Sequence, residues 1–263
     1  MKVKIMEIDG TLTNDIEISE NFLAPFRPDV IKKAFLVFMS WTRQPYGSDP
    51  KAGMKSSAQL SRRRKSYRGS YGHGISRVPR KIMMRSGMRM FWVGAFAAGT
   101  VGGREPHHPK AEKIWYKNIN KKEYALAIRS AIAAGLNKDI IKIRGHEVPD
   151  TFPFVLSSKF DNLSTAKEVE NALVKIGFAN DLERAQVKKI RAGMGKNRGR
   201  PYKKRKSVLI ITGNEDSKLF YSGNNIPGVE IVHASDLEIA DLAPGNMAGR
   251  PILFVESALK NLE

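Results

Sequence analysis

Four short runs carry the densest apolar character in the chain: Phe154-Val155-Leu156, Val208 to Ile211, Val229 to Val232, and Ile252 to Val255. Each is bounded by Gly, Pro or charge, and each is too short for a helix. They lack the alternation of a strand with one wet face, so they suit strands covered on both sides, as in a parallel sheet with helical crossovers. A further strand is expected at Val3 to Ile8. The intervening segments carry the helical period. Val30, Ile31, Ala34, Phe35, Phe38 and Trp41 share one face of a helix starting near Asp29. Tyr124, Ile128, Ile132 and Leu136 follow Asn120, a residue type suited to an N-cap. A third helix opens on a capping box, Thr165 with Glu168, and runs through Ala166, Val169, Leu173 and Ile176 to a stop at Gly177. The expected fold is a three-layer α/β/α domain with a mainly parallel central sheet.

Between the first two helices the periodicity stops. Residues 43–113 are rich in glycine and proline and follow neither the helical nor the strand period. A stretch of that length without elements of its own is functional or disordered rather than part of a packed core. The expected organisation is a globular α/β domain from residues 1–42 and 114–263, with 43–113 inserted in it as a long basic extended loop that orders on a partner. A chain of 263 residues with 41% hydrophobic content has material for one or two domains.

The charge falls in the same place. Residues 42–113 hold sixteen Lys/Arg against three acids, and residues 184–206 hold eleven Lys/Arg and no acid. The rest of the chain is slightly acidic, although the whole carries a formal charge of +19. Cations gathered into two stretches on an acidic remainder make the electrostatic footprint of a polyanion binder, and nucleic acid is the commonest polyanion. Tyr67 and Tyr71 lie among arginines and glycines. That mixture fits folded RNA, whose bases stack on rings and guanidinium planes, whereas duplex DNA is usually read by a helix. In the first stretch the expected RNA-binding residues are Arg62, Arg63, Arg64, Lys65, Arg68, His73, Arg77, Arg80, Lys81, Arg85, Arg89 and Arg104. In the second they are Lys188, Lys189, Arg191, Lys196, Arg198, Arg200, Lys203, Lys204, Arg205 and Lys206.

Other chemistry finds little support. The chain has no cysteine, which excludes disulfides and thiolate metal sites. Glu7-Ile8-Asp9-Gly10-Thr11 resembles the DxDGT box of haloacid-dehalogenase phosphatases, but Glu stands where the nucleophilic Asp belongs and would misplace the attacking oxygen. Gly193 to Arg200 looks like a phosphate loop, yet Ile190 and Asn197 occupy positions that Walker A gives to Gly and Ser/Thr. His107 and His108 point opposite ways in an extended segment and share a metal poorly. No catalytic residue, metal or cofactor is assigned. The competing reading is an RNA-processing or phosphate-cleaving enzyme with a basic arm. The apolar run at the N-terminus is too short for a signal peptide, and the longest apolar stretch falls short of the ~20 residues of a membrane span. A cytoplasmic protein is expected, with no membrane or small-molecule partner.

Several scattered motifs together resemble one family. They are Tyr46-Gly47, Gly102-Gly103-Arg104 with Pro109-Lys110, Arg129-Ser130-Ala131-Ile132-Ala133-Ala134, and Lys189-Ile190-Arg191-Ala192-Gly193-Met194-Gly195-Lys196. The resemblance is to the universal large-subunit ribosomal protein number four family, in its archaeal and eukaryotic form. It implies an α/β domain on the large ribosomal subunit and a loop that threads into ribosomal RNA and helps line the peptide exit tunnel. It also implies large-subunit rRNA and neighbouring ribosomal proteins as partners.

Overall fold

In the computed structural model, residues 2–56, 58–66 and 69–261 are described. The chain divides into two compact units, residues 1–42 with 116–263 and residues 43–115. The strands are β1 (Lys2–Met6), β2 (Leu12–Glu17), β3 (Arg80–Ser86), β4 (Arg89–Gly94), β5 (Phe154–Leu156), β6 (Lys189–Ile190), β7 (Tyr202–Lys203), β8 (Leu209–Thr212), β9 (Glu230–His233) and β10 (Ile252–Val255). The helices are α1 (Pro28–Trp41), α2 (Lys121–Leu136), α3 (Lys138–Arg144), α4 (Ala166–Leu173), α5 (Ala179–Gln186), α6 (Leu219–Gly223), α7 (Ile239–Leu242) and α8 (Glu256–Asn261).

The first unit is built on a six-stranded sheet in the order β2-β1-β5-β10-β8-β9, all parallel except the antiparallel edge strand β2. Every residue of β5, β8 and β10 is buried. Burial on both faces is the physical reason for their unbroken apolar sequences. The first strand ends at Met6, short of the expected Ile8. There Glu7 N donates to Thr11 O (3.0 Å) and Gly10 N to Glu7 O (3.1 Å), turning the chain back into β2. The residues of β2 are nearly all exposed, so they carry no apolar signal and the sequence does not announce the strand.

The helix positions follow from small residues and caps. On α2, Ala127, Ala131 and Ala134 have no exposed surface and let α1 approach closely. Ser130 between them is also fully buried; its Oγ accepts from Arg27 N (2.7 Å) and donates to Pro25 O (2.9 Å), tying down the entry to α1. Asn120 flanks α2 in an extended conformation, but its side chain makes no cap bond. The Thr165–Glu168 capping box opens α4 as expected. That helix ends at Leu173 rather than Ile176, and a single π turn carries the chain across Gly177 into α5. Gly177 has φ 106°, and a Cβ there would meet Pro149 at 2.9 Å, so glycine is required.

The second unit is not the element-free loop of the sequence reading. β3 and β4 form an antiparallel hairpin in register from Arg80↔Gly94 to Ser86↔Arg89, with one irregularity between Ile82 and Met84. At the base of the unit the Tyr46 and Trp115 rings lie 4.7 Å apart, with the Arg43 guanidinium 4.5 Å over Trp115. Ser48 N donates to Pro109 O (3.0 Å), closing the two limbs together. A Cβ on Gly47 would lie 2.4 Å from Ala111 N, so the limbs meet only because position 47 is glycine.

Candidate nucleic-acid interface

In the second unit, Arg62, Arg63, Arg64 and Lys65 are exposed, and Arg68 lies outside the described residues. Arg77 is exposed and stacks over the Tyr71 ring at 4.6 Å, a ready-made cation–π platform. The His73 ring meets Trp92 edge-on at 6.4 Å and is half-buried, so part of its stacking surface is already used. Lys81 and Arg89 are exposed on the hairpin, and Arg104 is half-buried. Two arginines have structural employment. Arg80 donates to Ser76 O (2.6 Å), and Arg85 donates to Gly87 O (3.2 Å) across the hairpin turn.

The second basic segment is a small antiparallel arm in the first unit. β6 pairs with β7 through Lys189↔Lys203 and Ile190↔Tyr202, and a 3₁₀ turn over Met194–Arg198 forms its end. Arg191 braces the arm by donating to Arg200 O (3.1 Å) and Tyr202 O (3.3 Å). Lys188, Lys189, Lys196, Arg198, Arg200, Lys203, Lys204, Arg205 and Lys206 are all exposed. Lys206 pairs with Glu230, which also receives Arg250.

Beside this arm lies a groove that the sequence reading did not foresee, of about 760 Å³. Its floor is a buried polar knot. Asp181, with no exposed surface, accepts from Arg184 Nε (2.8 Å), Ser207 Oγ (2.5 Å) and Glu147 N (3.3 Å), and lies 3.2 Å from His146 Nδ1. Burial pushes the Asp181 carboxyl up, but hydrogen bonds from His146, Arg184 and Ser207 outweigh it and hold it at about 2. Burial pushes the His146 imidazole down. One wall is fixed by Arg144, which donates to Pro244 O (2.8 Å) and to Met247 O. Behind it the fully buried Arg250 donates to Ser207 O (2.8 Å), Asp241 O (3.0 Å) and Val208 O (3.2 Å). Arg144 and Arg184 are forty residues apart, and only the fold brings them together. A cation before the glycine that ends α3 was the one local signal available.

The phosphatase-like motif does not form a site. Glu7 and Asp9 sit in the turn between β1 and β2 and pair with Lys159 (2.9 Å) and Lys175 (3.3 Å). Among the described residues no three His, Asp or Glu side chains gather as metal ligands would, and no helix is long and apolar enough to cross a membrane.

The model of the ribosomal protein L4/L1 family matches residues 16–263. The chain belongs to that family. Large ribosomal subunit protein uL4 of Nanoarchaeum equitans is 44% identical over 262 residues, which cover 100% of this chain and 97% of the relative. The uL4 proteins of Methanoregula boonei and Methanocaldococcus jannaschii are 41% and 40% identical, again over 100% of this chain and 99% and 98% of their own. L4/L1 members are ribosomal structural proteins, and this chain is not an enzyme. The family resemblance rested on short motifs, and the structure gives several of them a physical role. Gly47 permits contact between the limbs, Ser130 and its alanines seat α1 on α2, and Arg191 braces the arm.

Proposed function

We propose that the chain is a structural constituent of the large ribosomal subunit that binds large-subunit rRNA through two basic surfaces. One is the inserted segment 43–113, an rRNA-penetrating loop whose far end reaches the peptide exit tunnel and supports assembly. The other is the 188–206 arm on the globular domain of residues 1–42 and 114–263. The observation that carries this reading is the partition of charge: 27 of the 45 Lys/Arg lie in two stretches with three acids between them. Phosphates crowded at RNA helix junctions need such counter-charge, and each neutralised phosphate releases counterions. Stacking partners for unpaired bases lie in the same segment at Tyr71 and Arg77. Neighbouring large-subunit proteins complete the set of partners.

The test is sedimentation of tagged protein from a lysate of the source cells. The protein should travel with the large subunit and remain with its RNA at low magnesium, where small subunits separate. Migration as free protein at all magnesium concentrations would refute the reading.

A further inference from the structure

The groove beside the arm has a chemistry of its own. Seven Lys/Arg line it, and among the described residues no Asp or Glu does. Two neighbouring carboxylates are committed elsewhere, Asp181 to Arg184 and Ser207, and Glu230 to Lys206 and Arg250. Among the described residues Lys189, Lys203 and Lys204 have no carboxylate partner. Moreover, Lys189 and Lys203 are a registered pair of the β6–β7 ladder. Like charges directly opposite each other on an antiparallel pair are destabilising, so the arm carries a repulsion that an anion between the two ammonium groups would remove. Crowding reaches the wall as well. Burial and the neighbouring Arg250 and Arg184 push the Arg144 guanidinium down to about 10.

Next to Arg144 the lining is different. Pro244, Gly245 and the exposed Met247 present an apolar surface, held in place by Arg144. A cavity of about 760 Å³ lies within the roughly 300–1,000 Å³ range of small-ligand sites. A base lying against that wall has to be unpaired, since paired bases are stacked inside their helix. We propose that this groove seats a single unpaired ribonucleotide, with its flanking phosphates on Lys189, Lys203 and Lys204 and its base against Pro244 and Met247. The inference rests on the reading that the chain binds RNA, and deepens it. The exposed stretch of cations becomes one built pocket that selects single-stranded over paired RNA.

The absence of cysteine makes a clean test available. Full-length Met247→Cys, labelled with an environment-sensitive fluorophore, is titrated with octauridylate, octaadenylate, an eight-base-pair RNA duplex and inorganic phosphate at one ionic strength. Binding to the unlabelled chain is followed in parallel by anisotropy of labelled RNA. A single-stranded octamer should shift the label's emission at a concentration at least tenfold below that needed for the duplex. Lys203→Glu should weaken octamer binding at least tenfold, whereas Lys167→Glu, the same charge change at an exposed position of α4, should cost threefold or less. Both substituted side chains are exposed, and circular dichroism checks that the variants fold. Equal losses from the two variants, or a duplex as effective as the octamers, would overturn the pocket. A phosphate response equal to that of the octamers would overturn the seat for the base. Should the unlabelled chain bind no RNA at all, the proposed function fails, and with it this ligand. If anisotropy reports octamer binding while the Met247 label stays silent, the pocket alone fails.

Discussion

Asp181 is a carboxylate without exposed surface, yet it stays ionised, because the His146, Arg184 and Ser207 side chains converge on it. Its folded value of about 2 lies below the ordinary 3.8, so ionisation favours the folded state. That gain, about 2 kcal/mol by linkage, is fully present above pH 4 and is lost as the pH falls through about 2. His146 acts earlier on the same scale. Burial pushes its imidazole below the ordinary 6.5, and Arg184 and Arg144 facing it add to this against the pull of Asp181. The unfolded chain therefore takes up that proton first, and stability declines as the pH drops below 6.5. Thermal melts across pH should show two stages, one beginning near pH 6.5 and one between pH 4 and 2. Asp181→Asn should be about 3 kcal/mol less stable at pH 7, since the Arg184 guanidinium loses the negative charge it is paired with. Its deficit should shrink towards pH 2, and a deficit constant across pH would show that the Asp181 charge plays no part.

At the scale of elements, the β3–β4 hairpin is separable. None of its residues belongs to the main hydrophobic core, and its two ends already touch, with Ala95 N donating to Pro79 O at 3.0 Å. Excision of residues 80–94, with Pro79 and Ala95 joined through two glycines, should leave the cooperative melt of the first unit within about 3 °C of the parent. A larger loss, or a broad melt, would mean that the hairpin supports the core. This element also marks where the sequence stopped being legible. β5, β8 and β10 were readable because burial on both faces demands unbroken apolar runs. The capping box of α4 was readable because its chemistry is local. β3 and β4 are half-exposed and mix Arg and Lys with Met on both faces, and no single face of β2 is buried, so neither shows a period. Part of the interface was legible as charge. The groove was not, since Arg144, Arg184 and Met247 meet only through the sheet.

For the whole molecule, what matters is which edge of the sheet is open. In parallel α/β sheets ligands usually sit beyond the carboxyl ends of the strands. Here, beyond the carboxyl ends of β8 and β10, Asp161 ties the chain together by accepting from Thr212 (2.7 Å), Ser217 (2.8 Å) and Ser257 (3.0 Å). Lys206 and Met247 instead precede β8 and β10, so the groove opens at the amino ends. With a net charge of +19, binding from that edge should be dominated by counterion release. For the free chain on large-subunit rRNA, log affinity should fall linearly with log salt, at about 0.7 to 0.9 per phosphate neutralised. Two variants apportion the slope. Replacing Lys188, Lys189, Lys196, Arg198, Lys203 and Lys204 by Gln removes six exposed cations. The hairpin excision removes four, of which Arg80 and Arg85 already spend donors on carbonyls. The Gln variant should therefore flatten the slope more than the excision does. It should also melt higher than the parent at low salt, because Lys189 no longer opposes Lys203. Filter binding between 50 and 400 mM salt gives the slopes. Equal flattening would place the contacts evenly over the arm and the hairpin, and an unchanged slope in both would show that neither the six arm cations nor the hairpin neutralises phosphate.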